Sequence, residues 1–104
     1  MSRQRGGIPI VSRFLIEISH DPEELACARV VKVFLTSGSH LLTNADWGCK
    51  DGVHSAWLIV EVDTKDEARL TVPVPFRARA RIVALNKYAM AEIDEIIGRH
   101  RERR

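Results

Sequence analysis

The sequence predicts an α+β domain in which helices cover one face of a four-stranded antiparallel sheet. Three observations carry this expectation. Residues 11–19 and 53–63 are rich in β-branched and aromatic side chains that alternate with a period of two, as half-buried strands do. Two helix starts are marked by capping sequences, Asp21-Pro22-Glu23-Glu24 and Thr64-Lys65-Asp66-Glu67. Between two strand-like runs sits Asp51-Gly52, a pair suited to the positive φ angles of a two-residue hairpin loop.

Taken in order, residues 1–10 read as a disordered or extended leader, residues 11–98 as a single domain and residues 99–104 as a basic tail. The first strand, residues 11–19, puts Phe14, Ile16 and Ile18 on one face and Leu15, Glu17 and Ser19 on the other. A helix follows with Asp21 as N-cap, Pro22 in its first turn and a buried stripe of Cys27, Val30, Val31 and Phe34; Gly38 closes it. Residues 40–63 then read as a hairpin in which Lys50 pairs with Val53, Cys49 with His54, Trp47 with Ala56 and Asp46 with Trp57. One face of this ribbon is almost wholly apolar, and the other mixes Leu42, Asn44, Asp46, Trp57, Ile59 and Glu61.

A short helix opens at Thr64 and is closed by Pro73 and Pro75. Residues 79–86 form the fourth strand, of ambiguous phase, and Arg77, Arg79 and Arg81 alternate into it. Residues 88–99 form an amphipathic helix with Met90, Ile93, Ile96 and Ile97 on one side. The string β-α-β-β-α-β-α, with right-handed crossovers, gives the split-βαβ or ferredoxin-like arrangement, strand order 4-1-3-2, with an extra C-terminal helix.

A chain of 104 residues, 45% hydrophobic and 29% charged, has the size and balance of one soluble globular domain. It contains no apolar run of membrane-spanning length, and the basic leader lacks a signal-peptide core, so cytoplasmic residence is the expectation. The net charge of +2 comes from the ends: Arg3 and Arg5 at one, Arg99, Arg101, Arg103 and Arg104 at the other, around a mildly acidic body. That distribution argues against a nucleic-acid binder, which concentrates cations on one face. Cys27 and Cys49 belong to no CxxC and read as buried free thiols rather than a disulfide.

The mixed sheet face is where chemistry is expected. Glu17 and Asp46 are the candidate catalytic acids, because carboxylates sharing a half-buried space can have their pKa values driven apart and so exchange a proton with substrate. Asn44, Trp57, Glu61 and Arg81 are the candidate substrate-binding residues, the indole for stacking and the guanidinium for an anionic group. The competing reading of the same face is a dimer interface whose acids pair with arginines. Cys49 and His54, opposite one another across the hairpin, suit a pair of zinc ligands. No spacing motif supplies two more, His20 and His40 read as loop residues, and neither metal nor cofactor is expected. The chain has no GxGxxG, Walker loop, GxSxG or HExxH.

The segment GSHLLTNADWGCKDGVHSAWLIVEVDTKDEARLTVPVPFRARARIVALNKY resembles the small dimeric α+β barrel proteins, particularly the YciI-like and muconolactone-isomerase-like groups. The shared features are a glycine-led second strand, an apolar third strand ending in an acid, a "(S/T)xxEA" helix opening, a Pro-Phe pair and a closing strand. The histidine–aspartate pair associated with YciI-like proteins has no matching position here. The resemblance implies a dimeric α/β barrel, a homodimer packed through its open sheet faces with a cleft lined by strand residues, and no particular reaction. The functional expectation is a homodimer that binds a small, anionic organic molecule in that cleft. As an enzyme it would perform cofactor-independent, isomerase-type proton transfer; the alternative is a non-catalytic dimeric interaction or regulatory module. Neither nucleic acid nor membrane is an expected partner.

Overall fold

The computed structural model describes residues 12–102, and the leader expected at residues 1–10 lies outside the described residues. The elements run β1 (Ser12–Ser19), α1 (Glu24–Leu35), α2 (His40–Thr43), β2 (Asp46–Trp47), β3 (Ser55–Val62), α3 (Lys65–Leu70), β4 (Ala80–Leu85) and α4 (Met90–Glu102). Short 3-10 turns at Cys49–Asp51 and Val74–Arg79 precede β3 and β4. The four strands make one antiparallel sheet in the order β2-β3-β1-β4, an α+β architecture compatible with a ferredoxin-like arrangement.

Alternation along the strands sorts the sheet into two faces. Phe14, Ile16 and Ile18 of β1, Ala56, Leu58 and Val60 of β3, and Ala80 and Ile82 of β4 are buried with Phe34 of α1, Leu42 of α2, Ala68 of α3 and Val72 in one core. Phe34, fully buried, meets Trp47 edge-on at 5.0 Å between ring centroids and Phe76 at 5.8 Å. The other face carries Leu15, Trp57, Ile59 and Val83, with Ile59 50% exposed. Among the described residues no helix is long and apolar enough to cross a membrane.

Several boundaries differ from the sequence expectation, each for a local reason. Helix α1 starts at Glu24 with Glu23 as N-cap, its side chain accepting from the Ala26 amide. Asp21 instead accepts from the Glu23 amide, a turn that delivers the chain into the helix. Residues 40–43, expected in a strand, form α2, because Ser39 caps a helical turn by accepting from the Leu42 amide. That turn moves Leu42 from the open face into the core. Strand β2 is therefore only two residues long.

The pairs Asp46–Trp57 and Trp47–Ala56 form as the sequence predicts, but Lys50–Val53 and Cys49–His54 do not. The loop is wider: the Gly48 amide donates to the Ser55 carbonyl, the Val53 amide donates to the Gly48 carbonyl, and Gly52 takes φ +84° after a 3-10 turn. Arg77 and Arg79 lie in the second 3-10 turn rather than on a strand. There the Arg77 guanidinium donates to the carbonyls of Val72 and Leu70, so the three arginines do not form one stripe. Helix α4 runs on through Gly98 to Glu102, absorbing the start of the expected tail; of the side chains described in it none is fully buried, with Ile93 and Ile96 half-buried.

Gly48 is the tightest point of the hairpin. A Cβ there would lie 2.8 Å from the Trp57 ring and 2.8 Å from the Val53 carbonyl oxygen, and the latter is backbone that cannot swing aside. Gly48→Ala should therefore destabilise the fold by about 1–3 kcal/mol, the usual range for overpacking, measured as a lowered urea midpoint with unchanged slope.

Candidate metal centre and the open sheet face

Strand register places the predicted site residues on the open face in a transverse row. Arg81 of β4 lies opposite Glu17 of β1, Glu17 opposite Trp57 of β3, and Trp57 opposite Asp46 of β2. Arg81 donates from Nε and Nη2 to Glu17 Oε1 at 3.1 and 3.0 Å, so the carboxylate is committed to an ion pair within the chain. Glu17 and Asp46 do not form the expected acid pair. Strand β3 and the Trp57 indole stand between them, a separation of two strand spacings, roughly 10 Å. Asn44 is the C-cap of α2, and its side-chain amide donates to the His40 carbonyl at 2.8 Å. Asn44, Asp46 and Trp57 do share an open cleft of about 260 Å³ with Leu15, Leu41 and Ile59. Glu61, opposite Arg13 farther along β3, lies outside that cleft.

The more specific constellation is at the other side of the hairpin. Beyond the last paired residues of β1 and β3, the His20 amide donates to the His54 carbonyl at 3.0 Å, extending the ladder by one step. The two imidazoles consequently stand together, 5.6 Å between centroids and perpendicular. Helix α1, which begins four residues after His20, carries Cys27 to them in its first turn. The 3-10 turn of the hairpin brings Cys49 up from the opposite side. His20 Nε2 lies 3.2 Å from Cys27 Sγ and 3.3 Å from Cys49 Sγ, and the two sulfurs are 3.3 Å apart. One donor atom from each of His20, Cys27, Cys49 and His54 lies within 4.8 Å of all the others.

These separations fit a tetrahedral ion. Zn–S and Zn–N bonds of about 2.3 and 2.0 Å give tetrahedral edges of roughly 3.3–3.8 Å. The environment fits as well. His20 is 6% exposed and turns Nε2 toward the two sulfurs; the buried Nδ1 atoms of both imidazoles lack a hydrogen-bond partner among the described residues, and that of His20, on the far side of its ring, is not one that an ion at Nε2 would engage. Burial, reinforced by the positive charge of His54 and Arg79, pushes the His20 pKa below its ordinary 6.5, against a smaller opposing pull from Asp21, which keeps the ring nitrogen's lone pair available. The hydrogen bond with Cys49, then burial, then the charges of Cys49 and Glu24 push the Cys27 thiol up. A dication among the four donors reverses that preference, because a coordinating thiol is deprotonated outright.

Of the four candidate ligands, Cys49 and His54 are expected from the sequence to face one another across the hairpin; that pairing does not form, yet the wider loop still brings both into the cluster. His20 and Cys27 are not expected there, because no spacing rule links a residue just past a strand to one in the next helix. His20 lies in the loop after β1, as expected, but is buried there as a member of the cluster; the cysteines are free thiols, as expected, but half-buried and adjacent rather than buried. No protein-family model, curated protein or solved structure matches the chain.

The lowered His20 pKa makes a statement about the metal-free protein. The unfolded chain takes up this proton near the ordinary pKa of 6.5, the folded one only at lower pH, so the unfolded state binds more protons in between. The contribution is fully present above that value and is lost as pH falls through it. Urea unfolding of the metal-free protein should show stability falling as pH drops below about 6.5, with a shallower fall in His20→Gln. Equal pH slopes in the two proteins would contradict the assignment.

Proposed function

We propose that this protein is a metal-binding domain that holds one zinc-class dication in a Cys2His2 centre formed by His20, Cys27, Cys49 and His54. The observation that supports it is the convergence of four borderline and soft donors, from the end of β1, from α1 and from both sides of the hairpin, within 4.8 Å. Two thiolates and two imidazoles suit zinc better than the hard, oxygen-preferring magnesium or calcium. Four protein ligands fill a tetrahedral shell, so the ion acts as a tether of α1 to the hairpin rather than as a Lewis acid with an open position.

A second reading belongs to the open face, supported by the cleft that Asn44, Asp46 and Trp57 share. In it, two copies pack these faces together in the manner of a dimeric α/β barrel and enclose a small, anionic organic molecule, with Arg81 and Glu17 at the rim. The apolar side chains Leu15, Ile59 and Val83 on that face favour an interface. Because Trp57 separates the two acids, this reading is one of binding rather than of paired acid–base catalysis.

Purified protein loaded with zinc should carry one ion per chain by elemental analysis, and cobalt loading should give thiolate-to-metal charge-transfer absorption. Unfolding free energy should rise by about 3 kcal/mol with free zinc at a hundredfold excess over Kd. Cys49→Ser and His54→Ala should each lose most of that gain. Retention of one tightly held ion by the Cys27→Ser/Cys49→Ser double variant would exclude this centre. For the second reading, light scattering should find a dimer, and carboxylates or lactones should quench Trp57 but not Trp47, resolved with Trp47→Phe and Trp57→Phe. A monomer of 11.8 kDa would count against it.

A further inference from the structure

We propose that the centre is a redox-released metal site, in which a peroxide oxidises Cys27 and Cys49 to a disulfide and discharges the ion. The inference rests on the metal-binding reading and adds to it a mode of regulation. Its support is the asymmetry of the cluster. A cleft of about 420 Å³ opens on this side of the hairpin, lined by Cys27, Cys49, Trp47, Asp46 and Lys50 among others, and by neither histidine. His20 therefore lies on the inner side of the centre, buried, and His54, half-buried like the cysteines, does not line this cleft, while both sulfurs face an open approach with Asp46 and Lys50 at its rim. A small oxidant entering this cleft meets sulfur first.

The sulfurs are already close, at 3.3 Å, and sit on separate segments, so a movement of little more than 1 Å between them brings them to the bonding distance of about 2.05 Å. Coordination keeps both as thiolates, the nucleophilic form. One thiolate attacks a peroxide oxygen, the O–O bond breaks, and a sulfenic acid forms as the first water leaves with a proton from solvent. The second thiolate attacks the sulfenic sulfur, the S–S bond forms, and the expelled hydroxide takes a second proton to leave as water. Two electrons pass from the two sulfurs to hydrogen peroxide. The dication, left with two imidazoles of its four donors, departs hydrated. A dithiol reductant returns both thiolates and, with zinc, the closed centre. Buried structural cysteines resist this chemistry; these two are placed to undergo it.

The test uses the full chain loaded with zinc, its metal content measured first. Hydrogen peroxide is added in steps while a chromophoric chelator reports free zinc, and mass spectrometry follows the protein. The expected result is one ion released per chain, in step with the loss of two hydrogens and a Cys27–Cys49 cross-linked peptide, and full reversal by dithiothreitol with added zinc. Retention of the ion by peroxide-treated protein overturns the proposal, as does release accompanied only by sulfinic acid or by disulfides between chains. Protein that holds no zinc before oxidant is added overturns the metal reading itself, and this inference with it. Because unmutated protein is used throughout, loss of folding in a variant cannot imitate any of these outcomes.

Discussion

Strand β1 is hydrogen-bonded along both edges, to β3 over Ser12–Ser19 and to β4 over Arg13–Ile18, and the middle of the core, the Glu17–Arg81 pair and the His20–His54 contact take their positions from that double pairing. The inward residues Phe14, Ile16 and Ile18 supply the middle of the core, where burial contributes on the order of 2 kcal/mol for each large apolar side chain. The outward residue Glu17 meets Arg81 on one side and Trp57 on the other. One step past the strand's end, the same ladder delivers His20 to His54. A slip of one residue between β1 and β3 would turn Glu17 into the core and pull the two histidines out of register.

The broad outline is readable from the chain because it depends on local signals. Period-two alternation marks β1 and β3, and the Thr64 capping box places α3, where the Thr64 hydroxyl accepts from the Glu67 amide and Glu67 accepts from Asp63 in return. The Asp46–Trp57 register also follows, even though the loop that produces it is wider than a two-residue turn. What the local signals obscure is residues 40–45, where Leu41 and Leu42 satisfy a strand pattern and a helical turn alike; the Ser39 cap decides for the turn. The candidate metal centre is harder still. Its four members come from different elements, and only the assembled fold brings His20 to within 3.2 Å of Cys27.

The centre also shows why these residues are not simply core filling. Apolar side chains at the same positions would pack without leaving any donor unmatched. Here two buried imidazole nitrogens lack partners, and a thiol is driven toward its neutral form by its neighbours. A buried polar group without a partner typically costs about 1–3 kcal/mol; an ion at His20 Nε2 leaves the Nδ1 of that ring unengaged, so it is the convergence of the four donor atoms that favours an ion here. Trp47 closes one side, edge-on to His20 at 5.7 Å, and joins the centre to the Phe34 region of the core.

The extra ladder step between His20 and His54 has a consequence for chain entropy. Because sheet pairing already holds these two side by side in the folded chain, an ion that joins them requires little further ordering. Cys27 and Cys49 lie 22 residues apart along the chain and are joined through α1 and α2 rather than through a sheet ladder. Ring closure across such a segment restricts the unfolded ensemble by about 3 kcal/mol when made covalently, and only slowly more for longer loops. The histidines thus act mainly as a preassembled half-site, and the cysteines convert its occupancy into a constraint on α1, α2 and β2.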